Sequence, residues 1–154
     1  MPERFAEALP AIEALAAGEL SAREKLQQVV EVVRKVSALY SWVGIYYLRG
    51  PRLELGPYSG LPTVHTRIPV GAGVCGTAVH DRRNQLVDDV SQCDNYLACS
   101  EAVRSEIVVL IWRDHTIVGV IDIDSDEVGA FSYYDEQGLD QIAKLIAPVV
   151  FEVL

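Results

Sequence analysis

The chain has 154 residues, of which 50% are hydrophobic and 23% are charged; this balance excludes a disordered or fibrous protein and predicts one domain large enough to bury a core. Its formal net charge of −9 repels phosphate backbones and anionic lipid surfaces, so we expect neither nucleic acid nor a membrane as a partner. Three unevenly spaced cysteines do not make the disulfide framework of a secreted domain, and no signal-peptide pattern follows Met1, so we expect a cytoplasmic protein.

The first quarter of the chain, residues 3–40, is predicted to be helical in two parts. Pro10 marks a start or a kink in the first part. The second part opens with the capping-box spacing of Ser21 and Glu24, after which apolar residues recur at helical intervals. These apolar residues are Leu26, Val29, Val30, Val33 and Val36.

From Trp42 onward, short strand patterns alternate with turn residues. The predicted elements of this middle part are, in order, a β-hairpin (42–48 and 53–55), an irregular crossing from Gly56, a short strand (67–70), a short helix (75–80), a strand (85–87) and a long excursion (88–104).

The clearest β-hairpin joins residues 106–113 to residues 117–124 through a tip at 114–116. Both faces of its first strand are largely apolar, which places the hairpin in the centre of the sheet. A capping box from Ser132 to Asp135 then predicts a final helix. The apolar face of that helix contains Leu139, Ile142, Ile146 and Val149.

Helices at both ends of a mostly antiparallel sheet define an α+β fold. We expect a single domain over residues 1–154. Residues 1–40 form its N-terminal helical segment, and residues 41–154 form the sheet core and the C-terminal helix.

Two of the three cysteines stand in unusual local sequences. Cys75 lies among glycines at the predicted start of a helix, where the positive end of the helix would lower its thiol pKa; a buried cysteine that fills a small hole is the equally weighted alternative. Cys99 lies in the long excursion, and functional residues favour such loops, although a cysteine packed under Tyr96 and Leu97 fits the same pattern. Cys93, in the same loop, is interpreted as an incidental surface thiol or as a third redox partner.

Three carboxylates stand at the polar ends of apolar runs. Asp122 and Asp124 are two residues apart on a strand and therefore share a face. A three-residue tip loop brings Glu106 opposite Asp124, whereas a two-residue loop sends Glu106 to the other face. Three acids pressed together would raise one another's pKa and provide a proton donor or a site for a cation. The alternative is a solvated strand end, where the acids are harmless.

The remaining candidate groups are aromatic residues and histidines. Trp42, Tyr46 and neighbouring tyrosines fit either a pocket wall or a strand core. The histidines show no metal-ligand spacing relative to the cysteines, so no metal site is predicted. The glycine-rich segment at 71–73 lacks the residues of a phosphate-binding loop, and nothing indicates a nucleotide.

Taken together, these segments resemble the GAF domain and, more narrowly, the free methionine-(R)-sulfoxide reductase family. The similarity covers about residues 40–146, and the combination of motifs is specific where no single motif is. The matching segments are Trp42-Val-Gly-Ile-Tyr46, Leu55-Gly-Pro-Tyr58, Arg67 to Ala78, Val87-Asp-Asp-Val90, Leu97-Ala-Cys99, Ser105-Glu-Ile-Val-Val109, Gly119 to Ser125 and Asp135-Glu-Gln-Gly-Leu139.

The resemblance implies a thiol-dependent reductase of free methionine-(R)-sulfoxide. Cys99 falls at the position of the catalytic thiol, and Cys75 falls at that of a recycling thiol, for which Cys93 offers a substitute. The residues that match substrate-binding positions are Glu106, Asp122, Asp124, Trp42 and Tyr46. The resemblance further implies no bound cofactor, an external dithiol reductant such as thioredoxin, and a homodimer.

Three features depart from the family pattern. No cysteine precedes Arg67, and Ser100 stands where the family has an aspartate after its catalytic thiol; Tyr96 also replaces a usual histidine. These departures keep two alternatives open. One is a GAF module that binds a small molecule or senses redox state without turnover, and the other is a scaffold that dimerises through its terminal helices.

Overall fold

The computed structural model describes residues 3–93 and 102–154, so Cys99 and its immediate neighbours lie outside the described residues. Short 3-10 turns occur at Glu3–Phe5 and Val90–Gln92. The helices are α1 (Ala8–Ala17), α2 (Ala22–Arg34), α3 (Gly73–Asp81) and α4 (Tyr133–Val153). The strands are β1 (Trp42–Arg49), β2 (Arg52–Ser59), β3 (Arg67–Pro69), β4 (Gln85–Val87), β5 (Ser105–Arg113) and β6 (Thr116–Ser125).

The strands form an antiparallel sheet in the order β3-β2-β1-β6-β5-β4. The β5–β6 hairpin lies inside this sheet, as the apolar faces of its first strand predict. Helices α1, α2 and α4 cover one face, and α3 packs against the other. The predicted α+β class is confirmed. None of the described helices is long and apolar enough to span a membrane.

Side-chain caps set where two of the helices begin. Ser21 accepts a hydrogen bond from the backbone N–H of Glu24 at the start of α2. Ser132 and Asp135 form the complete capping box at the start of α4, and both caps were predicted from the sequence. Helix α4 continues past Pro148 to Val153 and buries its predicted apolar face against the sheet.

Strand β2 is longer than predicted, because it continues through Gly56 and Pro57 to Ser59. Gly44 pairs with Tyr58 and Tyr46 pairs with Leu55, so β2 carries one extra residue here and forms a bulge. A proline is tolerated at a bulge, and a Cβ on Gly56 would lie 2.5 Å from the ring of Tyr47. The glycine therefore marks a close approach inside a strand, not a break in it.

The β5–β6 register has an unexpected origin. Arg113 pairs with Thr116, so the tip is a two-residue turn at Asp114 and His115 and not the three-residue loop of the first register. The register then shifts by one residue between Ile111 and Trp112, which restores the pairing of Glu106 with Asp124. The predicted juxtaposition of the acids is thus correct, although a bulge and not the tip loop produces it.

Candidate functional site

Three buried carboxyl groups lie together on the sheet face that packs against α3. Glu106 pairs with Asp124, and Asp122 pairs with Val108 on the same strand as Glu106. Their side chains are 5%, 1% and 2% exposed for Glu106, Asp124 and Asp122 respectively. Because this face is otherwise apolar, the acids are removed from water and sensitive to any positive group that enters.

Asp122 is the centre of this acid cluster, which we define as Glu106, Asp122 and Asp124. Burial raises the pKa of Asp122, and its hydrogen bonds to Glu106 and to Cys75 oppose that rise. A hydrogen bond between two carboxyl groups requires a proton on one of them. Burial therefore favours the protonated form of Asp122 more than in a carboxyl group at the surface.

Cys75 lies in the first turn of α3 and faces the acid cluster. Its thiol pKa is raised well above the ordinary value by burial, and then by the negative charges of Asp122, Glu106 and Asp124. The prediction that the helix N-terminus would lower this pKa is wrong, because desolvation and three nearby carboxyl groups outweigh the helix dipole. The alternative, a buried cysteine, describes the position better.

The glycines around Cys75 allow the backbone to fold tightly at this point. Gly71 and Gly73 adopt φ values of 95° and 62°, which favour glycine. A Cβ on Gly76 would lie 2.5 Å from the carbonyl oxygen of Pro69. The turn is closed by a 2.8 Å hydrogen bond from Gly71 N–H to the carbonyl oxygen of Gly76. This tight entry into α3 holds Cys75 against the sheet.

Trp42 and Tyr46 of β1 lie on the same face as the acid cluster, beside it. Trp42 pairs with Asp124, and its indole Nε1 donates a 2.9 Å hydrogen bond to the carbonyl oxygen of Leu61. Tyr46 donates a 2.9 Å hydrogen bond to the carbonyl oxygen of His65. Both aromatic side chains therefore hold the loop at 60–66, and each is buried at the edge of a cavity.

Tyr58, one of the tyrosines for which the sequence allowed a pocket wall, packs on Trp42. Gly44, which the sequence patterns did not single out, also lies against it. The ring of Tyr58 stacks on that of Trp42 with 5.7 Å between centroids. A Cβ on Gly44 would lie 2.2 Å from Trp42 Cη2, so the glycine makes the space into which the indole folds. The sequence signal for this packing is the glycine two residues after the tryptophan.

Two cavities adjoin these groups. The larger, of about 170 Å³, has Trp42 and Asp124 in its lining together with Ser41, Leu61, Pro62, Ala102, Val103 and Asp126. The smaller, of about 10 Å³, lies between Tyr46, His65, Cys75, Glu106 and Asp122. His65, which the sequence analysis assigned no role, thus reaches the wall of the site. The larger cavity has an apolar wall and two carboxyl groups, those of Asp124 and Asp126.

The structure describes two of the three thiols that the sequence predicts to be functional. Cys75 is buried at the acid cluster, and Cys93 is half-buried and packs against the same apolar cluster; both are free thiols. The predicted nucleophile, Cys99, lies outside the described residues. Glu106, Asp122 and the Cys75 sulfur are also close enough to share a ligand, since one donor atom of each lies within 4.8 Å of the others.

Comparisons with known proteins agree with this geometry. The GAF domain family model matches residues 19–150. The chain belongs to the GAF domain family. It is 40% identical to the free methionine-R-sulfoxide reductase of Escherichia coli (strain K12) over 137 residues, which cover 89% of this chain and 82% of that protein. It is 37% identical to GAF domain-containing protein A of Dictyostelium discoideum over 145 residues, covering 94% and 90% of the two chains.

A solved structure gives the same result for this GAF domain. The free methionine-R-sulfoxide reductase from Neisseria meningitidis, solved in complex with its substrate, superposes with a TM-score of 0.89 at 33% identity. The superposition covers 96% of this chain and 89% of that one. The resemblance read from the sequence motifs is therefore confirmed at the level of the family and of its reductase relatives.

Proposed function

We propose that this GAF domain reduces free methionine-(R)-sulfoxide to methionine by thiol chemistry, with Cys99 as the nucleophile. The observation that carries the proposal is the grouping of three buried acids and two aromatic side chains on one sheet face. The relatives named above as free methionine-R-sulfoxide reductases support it. We further propose a cytoplasmic homodimer that takes electrons from a thioredoxin-like dithiol protein.

The acid cluster suits the ammonium group of a free amino acid. Glu106, Asp122 and Asp124 are nearly inaccessible to water, so a bound ammonium would feel their charge with little screening. Trp42 and Tyr46 would contact the apolar side-chain atoms of the substrate. A methionine sulfoxide inside a protein chain has no free ammonium group, which explains a preference for the free amino acid.

The reaction transfers the sulfoxide oxygen to the protein. The Cys99 thiolate attacks the sulfoxide sulfur, and a carboxyl group of the acid cluster protonates the oxygen. The S–O bond and the S–S bond formed by the attack then break, the hydroxyl group passes to the Cys99 sulfur, and methionine leaves as the sulfide. Cys99 becomes a sulfenic acid, oxidised by two electrons. The raised pKa of Asp122 supports this role of the acids.

A second thiol restores the nucleophile. The sulfenic acid of Cys99 condenses with Cys75 or Cys93, water leaves, and an external dithiol reduces the resulting disulfide. Cys75 matches the family's recycling position, but burial and the neighbouring acids keep its thiol protonated. Cys93 is the more accessible of the two thiols.

The test is a single-turnover reaction of the pre-reduced protein with free methionine-(R)-sulfoxide, with methionine quantified and the S diastereomer as control. Wild type should yield stoichiometric methionine, and Cys99→Ser should yield none. Cys75→Ser and Cys93→Ser should each retain the first turnover, and the one whose steady-state rate with dithiol falls identifies the resolving thiol. Full steady-state activity in Cys99→Ser would refute the assignment. No methionine from folded wild type would favour a ligand-sensing GAF module.

A further inference from the structure

The residues around Cys75 that the proposed reductase mechanism uses for separate steps also form one set of possible metal ligands. The Cys75 sulfur and one carboxyl oxygen each of Glu106 and Asp122 lie within 4.8 Å of one another, and all three residues are buried. The centre of a triangle with sides of that length is about 2.8 Å from each corner. Zinc bonds are about 2.3 Å to sulfur and about 2.0–2.2 Å to carboxylate oxygen, so inward shifts of less than about 1 Å would complete three bonds.

A second observation points to a bound cation. Asp122 is 2% exposed, and its Oδ1 atom has no hydrogen-bond partner among the described residues. A buried carboxyl oxygen that lacks a donor is costly. The small cavity next to it is lined by Tyr46 and His65 and, within the part of the chain that the structure describes, by neither lysine nor arginine. A cation from solution would therefore satisfy this oxygen where no side chain does.

The chemistry of the donor set selects the class of cation. Mg²⁺ and Ca²⁺ prefer oxygen ligands in six or more positions, whereas a thiolate with two carboxylates suits a cation of low coordination number such as Zn²⁺. An ammonium group gains nothing from a thiol, so the sulfur distinguishes this site from the proposed substrate contact. On metal binding the Cys75 thiol would lose its proton to solvent.

We propose that Cys75, Glu106 and Asp122 form a binding site for a thiophilic divalent cation, with Zn²⁺ as the first candidate. The metal site stands without the proposed reductase function. If that function holds, Zn²⁺ and the substrate ammonium compete for the same acids, and bound Zn²⁺ withholds the Cys75 sulfur from disulfide exchange. The sequence-based expectation of no metal considered only histidine–cysteine spacing, whereas the fold assembles a different donor set.

The experiment is a Co²⁺ titration of the full chain after reduction and chelator treatment, followed by absorbance. We expect a near-ultraviolet thiolate-to-Co²⁺ charge-transfer band that saturates at one equivalent. Zn²⁺ should abolish the band, and excess Mg²⁺ should not. Cys75→Ser should remove the band, and Cys93→Ser, the matched control, should retain it. This readout is independent of methionine production, so the metal site and the reductase can fail separately.

The carboxyl ligands are tested with isosteric changes. Asp122→Asn and Glu106→Gln should each weaken Co²⁺ binding by about tenfold or more while circular dichroism shows a native fold. These variants keep the test valid even where Cys75→Ser does not fold. A band that is absent in wild type, that survives Cys75→Ser, or that is unchanged in both carboxamide variants overturns the proposal.

Discussion

Replacing Gly44 by alanine places a methyl group where the indole of Trp42 lies. The added Cβ would be 2.2 Å from Cη2 and 2.6 Å from Cζ3 of that ring. Carbon atoms in contact lie about 3.5 Å apart or more, so the ring must retreat by about 1.3 Å. A shift of that size also moves Nε1 away from the Leu61 carbonyl oxygen, which it now contacts at 2.9 Å.

The cost follows from the contacts that the ring loses. The hydrogen bond to Leu61 contributes about 1 kcal/mol, and the stacking on Tyr58 about 0.5–1.5 kcal/mol. Residual overpacking adds about 1–3 kcal/mol. We therefore expect Gly44→Ala to lower the free energy of unfolding by about 2.5–5.5 kcal/mol. If Trp42 forms a wall of the substrate site, a displacement of this size should lower kcat/KM by about 100-fold.

A double-mutant cycle in urea denaturation isolates the clash. Free energies of unfolding would be measured for wild type, Gly44→Ala, Trp42→Ala and the double variant. With the indole removed, Gly44→Ala should cost less than about 1 kcal/mol, because the new methyl group meets no ring. An equal cost in both backgrounds, or no cost in wild type, would show that Gly44 does not act through Trp42.

Two further predictions concern buried acids. Burial raises the folded-state pKa of Asp122 above 3.8, so its contribution to stability is present below that value and is lost as pH rises through the raised pKa. Asp122→Asn should therefore gain stability relative to wild type between about pH 3 and about pH 9 in urea denaturation; a pH-independent difference would contradict the shift. Asp135 is 1% exposed and accepts hydrogen bonds from Tyr40 and, at 2.7 Å, from Arg4. Asp135→Ala should lower the free energy of unfolding by about 3–5 kcal/mol, because Tyr40 and Arg4 lose their buried partner. A loss below about 1 kcal/mol would show that these contacts do not stabilise the fold.

The elements with strong local signals could be predicted from the sequence. The capping residues Ser21 and Ser132 start helices where expected, since their side chains satisfy backbone N–H groups without help from distant residues. The shared face of two acids could also be predicted, because Asp122 and Asp124 alternate with apolar residues along one strand. Hydrophobic periodicity and helix capping depend on residues that are close in the chain, so they can be recognised in a single sequence.

The features that depend on distant parts of the chain could not be predicted. The raised pKa of Cys75 arises from burial and then from acids on β5 and β6, neither of which the glycines around it reveal. The sequence around Gly56 is typical of a turn, whereas the structure places this glycine inside a strand, beneath the ring of Tyr47. His65 lies at the site, where Tyr46 donates a hydrogen bond to its carbonyl group. In each case, packing outweighs the local pattern.

The bulge in the β5–β6 hairpin has a consequence for how such a site changes in evolution. Strand residues alternate between the two faces of the sheet. Which acids meet therefore depends on the register of β5 against β6 between the tip and Glu106. The bulge near Ile111 shifts this register by one residue, at a point about five residues, or roughly 17 Å, from Glu106. One residue inserted or deleted at the tip would therefore rotate an acid out of the cluster from a distance. The length of this turn therefore affects the acid cluster, although the turn does not contact it.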